Sequence, residues 1–361
     1  MKRSGCKSVI RLLFIQVVLI LTLSAYAVDL DKQFKKEFDA RGIELLKISN
    51  RYGDVEIVSS DNNKILIVVD VQLSHPNESK AEKLLSMINV EFSENDNTAE
   101  ARTVIDRQFS MENRGSQRGF SINYRIEMPE DMDLDLANRY GDFTAGQLSG
   151  HVDIRVKYGS LFIKNLTRGN EEPLNRITGE YLRVGDIGEA GWLELNIRYV
   201  GKFSILNAQA LLIDSRYSTN NTIDNVSSVV IDSKYDKFEI HNLNNIVAES
   251  AYTSYKIGSL SKKLDIESRY GSVDVNNVEA GFEKIRTDTG YGNVRISFDE
   301  SASYKLEAET RYGGFSFNEK NADITHRIQE SNSLHLEAVV GDVNTKSEVN
   351  IKANYGSVKL Y

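Results

Sequence analysis

Asp214 and Asp232, eighteen residues apart, and a cation that recurs one residue before a tyrosine are the side chains whose spacing best suits chemistry. Carboxylates stacked on one face could share general-acid and general-base work on a glycosidic bond. The cations are Arg51, Arg139, Lys157, Arg198, Arg216, Lys234, Arg269 and Arg311. Asp214, Asp232, Glu249, Glu267, Asp288 and Glu309 stand two residues before such positions or their equivalents. Rows of opposite charge side by side make a surface ion-pair lattice, each pair worth about 0 to 1 kcal/mol. That lattice occupies Asp214 and Asp232 and makes catalysis the lesser reading. Toward the N-terminus Arg139, Arg155 and Lys157 lack the matching acid in the pattern, so a polyanion would bind there.

Other chemistry finds less support. His75, His151, His241, His326 and His335 are scattered without metal-ligand spacing, and mostly surface roles are expected for them. Gly-x-Ser-x-Gly, a phosphate loop and a dinucleotide fingerprint are absent, and residues 185–188 form only a turn-like glycine pair. Asn165-Leu166-Thr167 and Asn225-Val226-Ser227 match glycosylation acceptors, which matter only in a eukaryotic host. The expectation is a protein without enzyme activity, metal or cofactor.

These side chains need an element that returns them to one face, and the sequence supplies a repeat. Corners recur at Tyr52-Gly53, Tyr140-Gly141, Tyr158-Gly159, Tyr270-Gly271, Tyr291-Gly292, Tyr312-Gly313 and Tyr355-Gly356. Related units centre on Tyr217, Tyr235 and Tyr252. Degraded ones are expected at Tyr199, with its glycine displaced to Gly201, at Val340-Gly341, and at Tyr181. Spacings of 17, 18 and 21 residues mark a stacked array. Within one unit, residues 264–270 alternate apolar or small with charged, and the alternation resumes at Val273 and Val275. Period two means strands, and the glycine between them means a corner that relieves backbone sterics. The fold class read from this is all-β, a parallel β-helix or β-solenoid of about 18 to 21 residues per coil. Twelve coils from Tyr140 to Tyr355 would stack into a rod about 55 Å long. An antiparallel sandwich or barrel is the alternative.

The first 27 residues read as a signal peptide. Lys2, Arg3, Lys7 and Arg11 precede an apolar run over residues 12–23, and Ala25 and Ala27 flank Tyr26 at a peptidase site. The run is short for a bilayer span, and no second one follows, so no transmembrane segment is expected in the mature chain. Cleavage removes Cys6, the single cysteine, and leaves 40 of the 44 basic residues against 52 acidic, a net charge of −12. Such a chain forms no disulfide and offers nucleic acid no general attraction.

Residues 28–136 are expected to form an N-terminal α+β cap carrying the first repeat, with the solenoid over residues 137–361. In the cap, residues 65–73 read as a strand, and Asn77 caps a helix with Ala81, Leu84, Leu85 and Ile88 on one face. Residues 90–92 and 101–105 read as a hairpin, Gly115 to Gly119 as a loop, and residues 124–129 as a last strand.

An Asn-Arg-Tyr-Gly-Asp unit early in an exported chain, a helix-bearing excursion, the Tyr124-x-Ile126-x-Met128-Pro129 strand and serial Tyr-Gly-x-Val units together resemble the bacterial β-strand-repeat family of exported proteins described as adhesins. The resemblance covers nearly the whole mature chain. Members usually carry Asn-Gly-Asp or Ser-Gly-Asp at the corner, whereas Tyr-Gly dominates here. It implies a parallel β-helix-like fold in an exported protein, in the periplasm or at the cell surface, and no catalytic residue.

By parity the repeated tyrosine points inward with Leu264 and Ile266, packed on its copies. Turned outward, the rings would form an exposed ladder able to stack on sugars. The function expected is an adhesin-like binding or scaffolding surface for an envelope glycan or protein. A polysaccharide-active β-helix enzyme and a purely structural envelope spacer are the alternatives.

Overall fold

A computed structural model describes residues 28–112 and 119–361. The leader expected at residues 1–27 and most of the loop expected at Gly115 to Gly119 lie outside the described residues.

Each coil has one strand that leads into a ladder tyrosine and one that leaves it. The first sheet holds Leu45–Arg51, Asp133–Arg139, Val152–Lys157 and Asn175–Glu180, and the second holds Val55–Ser59, Phe143–Leu148 and Leu161–Leu166. In the middle of the stack the leaving strand of one coil runs unbroken into the entering strand of the next. Val184–Arg198, Lys202–Arg216, Asn221–Lys234, Lys237–Ala251 and Ser254–Arg269 are such strands. Neighbouring coils pair in parallel, Ile205 with Ile223 and Ile223 with Ile240. This is solenoid stacking, as the phase of the repeat implies.

Because the chain returns in register, equivalent side chains fall into columns. One inward column runs Ile48, Leu136, Ile154, Ile177, Leu195, Ile213 and Ile231, all buried. Full burial of each aliphatic side chain contributes about 1.5 to 3 kcal/mol, and here it falls to chain that must also order its backbone. No cysteine remains among the described residues, so packing and backbone pairing carry the stability.

The N-terminal excursion covers both sheets. Thr98–Ile105 pairs in parallel with Leu45–Arg51 and antiparallel with Ile88–Asn95. Phe120–Met128 pairs in parallel with Val55–Ser59 and antiparallel with Lys64–His75, which pairs in turn with Val28–Asp39. The helix is Glu78–Ser86, with Asn77 Oδ1 accepting from the Lys80 N–H at 2.9 Å and Ala81 and Leu84 buried beneath it. His75 departs from the surface role expected of it: it is 3% exposed, with Nδ1 accepting from the Asn77 N–H at 2.8 Å.

At the C-terminal end chain order and spatial order part. Glu348–Asn354 lies between Lys284–Thr289 and Tyr304–Arg311, parallel to both, so the Tyr355 coil intercalates between those of Tyr291 and Tyr312. Val340-Gly341 is no coil. Ser333–Val340 runs antiparallel to Tyr304–Arg311 and to Ala322–Gln329, and this hairpin covers the end of the first sheet. Gly341, at φ 78°, turns the chain back toward the slot that the last coil fills.

The corner differs from its expected mechanism. Eleven of the twelve ladder tyrosines, not the glycines after them, take the left-handed conformation, with φ between 53° and 68°. The glycine serves a close approach instead. A Cβ on Gly141 would lie 1.9 Å from the Gly53 carbonyl oxygen, and one on Gly292 1.6 Å from that of Gly271. In the middle coils this position holds the buried side chains of Leu182, Val200, Ser218, Asp236 and Thr253.

Asp236 is the one carboxylate in that row. Its Oδ1 accepts from the Ser218 N–H at 2.6 Å and its Oδ2 from the Lys234 N–H at 3.2 Å. Burial outweighs these bonds and pushes its pKa from 3.8 up to about 6.

Gly141→Ala and Gly292→Ala are expected to cost about 2 to 4 kcal/mol each in urea unfolding, while Gly146→Ala stays within about 0.5 kcal/mol. The control follows from Gly146 having only the Ser59 hydroxyl, 3.6 Å from an added Cβ. For Asp236 the folded state binds the proton more tightly than the unfolded chain. This group's contribution therefore falls as pH rises from about 4 through about 6, by at most about 3 kcal/mol. Asp236→Asn should accordingly gain on the native chain between pH 4 and pH 7.5 in matched urea titrations. A pH-independent difference would remove Asp236 from the account.

Candidate binding face

At eleven of the twelve corners the left-handed φ reverses the parity of the strand and throws the tyrosine ring outward. The inward expectation is thereby corrected: Tyr140, Tyr158, Tyr199 and Tyr217 are 43 to 48% exposed. In space the ladder runs Tyr52, Tyr140, Tyr158, Tyr181, Tyr199, Tyr217, Tyr235, Tyr252, Tyr270, Tyr291, Tyr355 and Tyr312. Successive centroids lie 4.7 to 5.1 Å apart with planes within 13° of parallel. Each interior ring has both faces covered by its neighbours. Sugar stacking needs a free face, so the interior rings offer ligands only their edges and hydroxyls.

The basic row beside it is in register, Arg51 with Arg139 and Arg139 with Lys157. Two of the three cations expected to lack acids have them. Arg155 pairs with Asp135 and with Asp153 at 2.7 Å, and Lys157 pairs with Glu180 at 2.5 Å. The Glu180 hydrogen bond raises the Lys157 pKa, against desolvation. These acids escape the pattern because they come from the next outward row, or from the basic row itself, where Glu180 replaces a cation. Arg139 makes no ion pair among the described residues. Arg51, also without one, lies over the Tyr52 ring at 5.2 Å. Arg51, Arg139, Arg155, Lys157, Thr103 and Ser49 line a groove of about 560 Å³ where the cap meets the first coils. Sequence reasoning missed Thr103, which reaches the groove only through the pairing of the excursion with the first coil.

Further along, the acidic row is in register from Asp214 through Asp232, Glu249 and Glu267 to Asp288. The lattice forms only in part. Arg216 bridges Asp214 at 3.1 Å and Asp232 at 3.0 Å, and Arg198 approaches Asp214 at 3.5 Å. One guanidinium thus holds both members of the stacked pair, leaving neither free to act as a base. Among the described residues no group of three or more His, Cys, Asp or Glu could hold a metal ion, and no helix is long and apolar enough to cross a membrane.

No family model matches the chain, and no curated protein matches it. Among solved structures it is similar to a candidate cell-adhesion protein from Clostridium sporogenes, at 12% identity and a TM-score of 0.21, covering 91% of this chain and 98% of the other. It is also similar to a candidate adhesin from Parabacteroides merdae, at 9% identity and a TM-score of 0.35, covering 91% and 96%. A candidate lipid-binding protein from Parabacteroides distasonis gives 10% identity and a TM-score of 0.30, again covering 91% and 96%.

Proposed function

We propose that the chain is an exported, non-enzymatic rod of the cell envelope, with a leader over residues 1–27, a cap over 28–136 and a solenoid beyond. It presents a rigid, repeating surface for binding or scaffolding, and its groove at Arg51, Arg139, Arg155 and Lys157 holds an anionic envelope polymer. One observation carries this reading: Arg51 and Arg139 are stacked in register without a carboxylate, in a chain of formal net charge −8 whose neighbouring cations are paired. Two guanidiniums one strand spacing apart repel each other, and a phosphate or carboxylate lying between them relieves that repulsion and satisfies their donors. Lys157 and Arg155 tune the groove from its wall, their charge already compensated.

Stacked rings and paired carboxylates favour this over hydrolysis. The interior rings of the ladder, those beside Asp214 and Asp232 included, present no face on which a sugar could stack, and Asp214 and Asp232 share Arg216.

The test is an array of polyanions and neutral glycans probed with residues 28–361, repeated with Arg51→Ala, Arg139→Ala and Lys157→Ala. Polygalacturonate and a polyphosphate should bind, with affinity falling as salt rises. Arg51→Ala and Arg139→Ala should each weaken binding by about tenfold, and Lys157→Ala by less. Arg295→Ala, on the other sheet and paired with Asp274 at 2.5 Å, should leave it unchanged. Absence of binding to every polymer would favour the structural spacer.

A further inference from the structure

The two ends of the stack are closed differently. At the C-terminal end the hairpin finishes the first sheet, where the Tyr312 N–H donates to the Asn332 carbonyl at 2.7 Å. Among the described residues nothing equivalent finishes the second sheet, and Phe315–Ser316 pairs only with Val358–Leu360.

The missing partner can be specified from the other coils. In six of them the third residue after the tyrosine donates its N–H to the carbonyl two residues after the next tyrosine. Val55 donates to Asp142, Phe143 to Ser160, Tyr255 to Ser272, Val273 to Asn293, Val294 to Ser357 and Val358 to Gly314, all at 2.8 to 2.9 Å. Phe315 holds that position in the last coil, and its N–H has no acceptor among the described residues. Tyr312 is likewise the last ring of the ladder. One face stacks on Tyr355 at 4.9 Å, no ring among the described residues covers the other, and at 59% it is more exposed than Tyr355 or Tyr291. Both features open into a groove of about 820 Å³ between the Tyr312 corner and the hairpin.

We infer that this end of the second sheet is an acceptor edge for one extended polypeptide strand of a partner, which adds in parallel to Phe315–Ser316 and lays an aromatic ring on the free face of Tyr312. A peptide carbonyl at strand spacing fits the open donor, as in recognition by strand addition. The corner fixes the sequence further. Gly292, Gly356 and Gly313 each sit where a Cβ would strike the preceding coil's glycine carbonyl, at 1.6, 1.8 and 1.8 Å. A strand that follows Gly313 with the same short corner meets the same obstruction, which glycine after its aromatic avoids; Leu182, which follows Gly159, avoids it in a corner one residue longer. The partner's signature is thus an aromatic-glycine step inside an extended segment. This site lies at the opposite end of the stack from the anion groove and does not depend on it.

The probe is a synthetic peptide copying residues 267–275, Glu-Ser-Arg-Tyr-Gly-Ser-Val-Asp-Val, labelled for fluorescence polarisation against residues 28–361. Saturable binding is expected, weakened at least about tenfold when the peptide carries Gly271→Ala or Tyr270→Ala. In the protein, Phe315→Pro deletes the open donor without removing an internal bond and should weaken binding similarly, as should Tyr312→Ala. Equal binding of the Gly271→Ala peptide, or no binding at millimolar peptide, would overturn the proposal. Should Phe315→Pro fail to fold, Tyr312→Ala and the two altered peptides decide it. A copy lending its own strand would appear instead as concentration-dependent oligomers in sedimentation, which also counts against a separate partner.

Discussion

The structure depends on how closely successive backbones approach at the tyrosine corner. Parallel strands fix the spacing between coils, and a corner that stacks at that spacing brings one coil's carbonyl to where the next coil's Cβ would stand. Glycine resolves this at both ends of the rod. Through the middle, Leu182, Val200, Ser218, Asp236 and Thr253 resolve it by turning a side chain into the interior. Where that side chain is polar it takes on backbone bonding, as Asp236 does for Ser218 and Ser218 for Val200, whose N–H it accepts at 3.2 Å. The end coils use the residue after the glycine instead. Asp54 accepts from the Asp142 N–H at 2.7 Å, and Asp142 from the Ser160 N–H at 2.8 Å. The Tyr-Gly-Asp unit is therefore a ring for the ladder, a gap for the neighbour and a cap for the next coil.

The ladder and the left-handed tyrosines are two sides of one balance. Placing a non-glycine residue at positive φ costs about 1 to 2 kcal/mol. A stacked aromatic pair returns about 0.5 to 1.5 kcal/mol beyond its buried area. Each interior ring takes part in two such pairs and so owns about one, which leaves strain and stacking close to even. What tips the balance is that the outward turn keeps eleven successive phenol contacts out of the aliphatic interior, where each hydroxyl would need a partner. Two of the three buried tyrosines give the hydroxyl a partner: Tyr124 with Thr103 at 2.8 Å and Tyr255 with Ser233 at 3.2 Å. Desolvation still raises both their pKa values, Tyr255 to about 12.

Much of this was legible in the sequence because a repeat states its own register. The aliphatic columns, the helix cap at Asn77, the hairpin after it and the stacked charge rows follow from period and parity. Parity fails wherever φ changes sign, since a left-handed residue presents its side chain to the other face while leaving the spacing intact, and so the rings read as inward. Spacing also carries no information about spatial order: Tyr355 lies beyond Tyr312 in the chain and before it in the stack. Val340-Gly341 resembles a corner in two letters, but its strand runs the opposite way. The acids that hold Arg155 and Lys157 sit one row further out, at Asp135 and Asp153, or in the cation row, at Glu180, so a rule that looked only two residues before the tyrosine-flanking cation missed them.

A solenoid whose interior is filled by packed side chains has no inner cavity to offer a ligand, and its interior rings have given their faces to one another. Recognition is left to features that break the repeat. One is the place where a row loses its counter-charge, which happens at Arg51 and Arg139 beside the cap. Another is the place where the stack stops with its bonding unfinished, at Phe315. Neither lies within the uniform middle coils, where Arg216 and its acids satisfy one another. The middle sets the distance between the two ends and holds them rigid, so that lengthening the rod by a coil would separate them by about 4.8 Å without altering either.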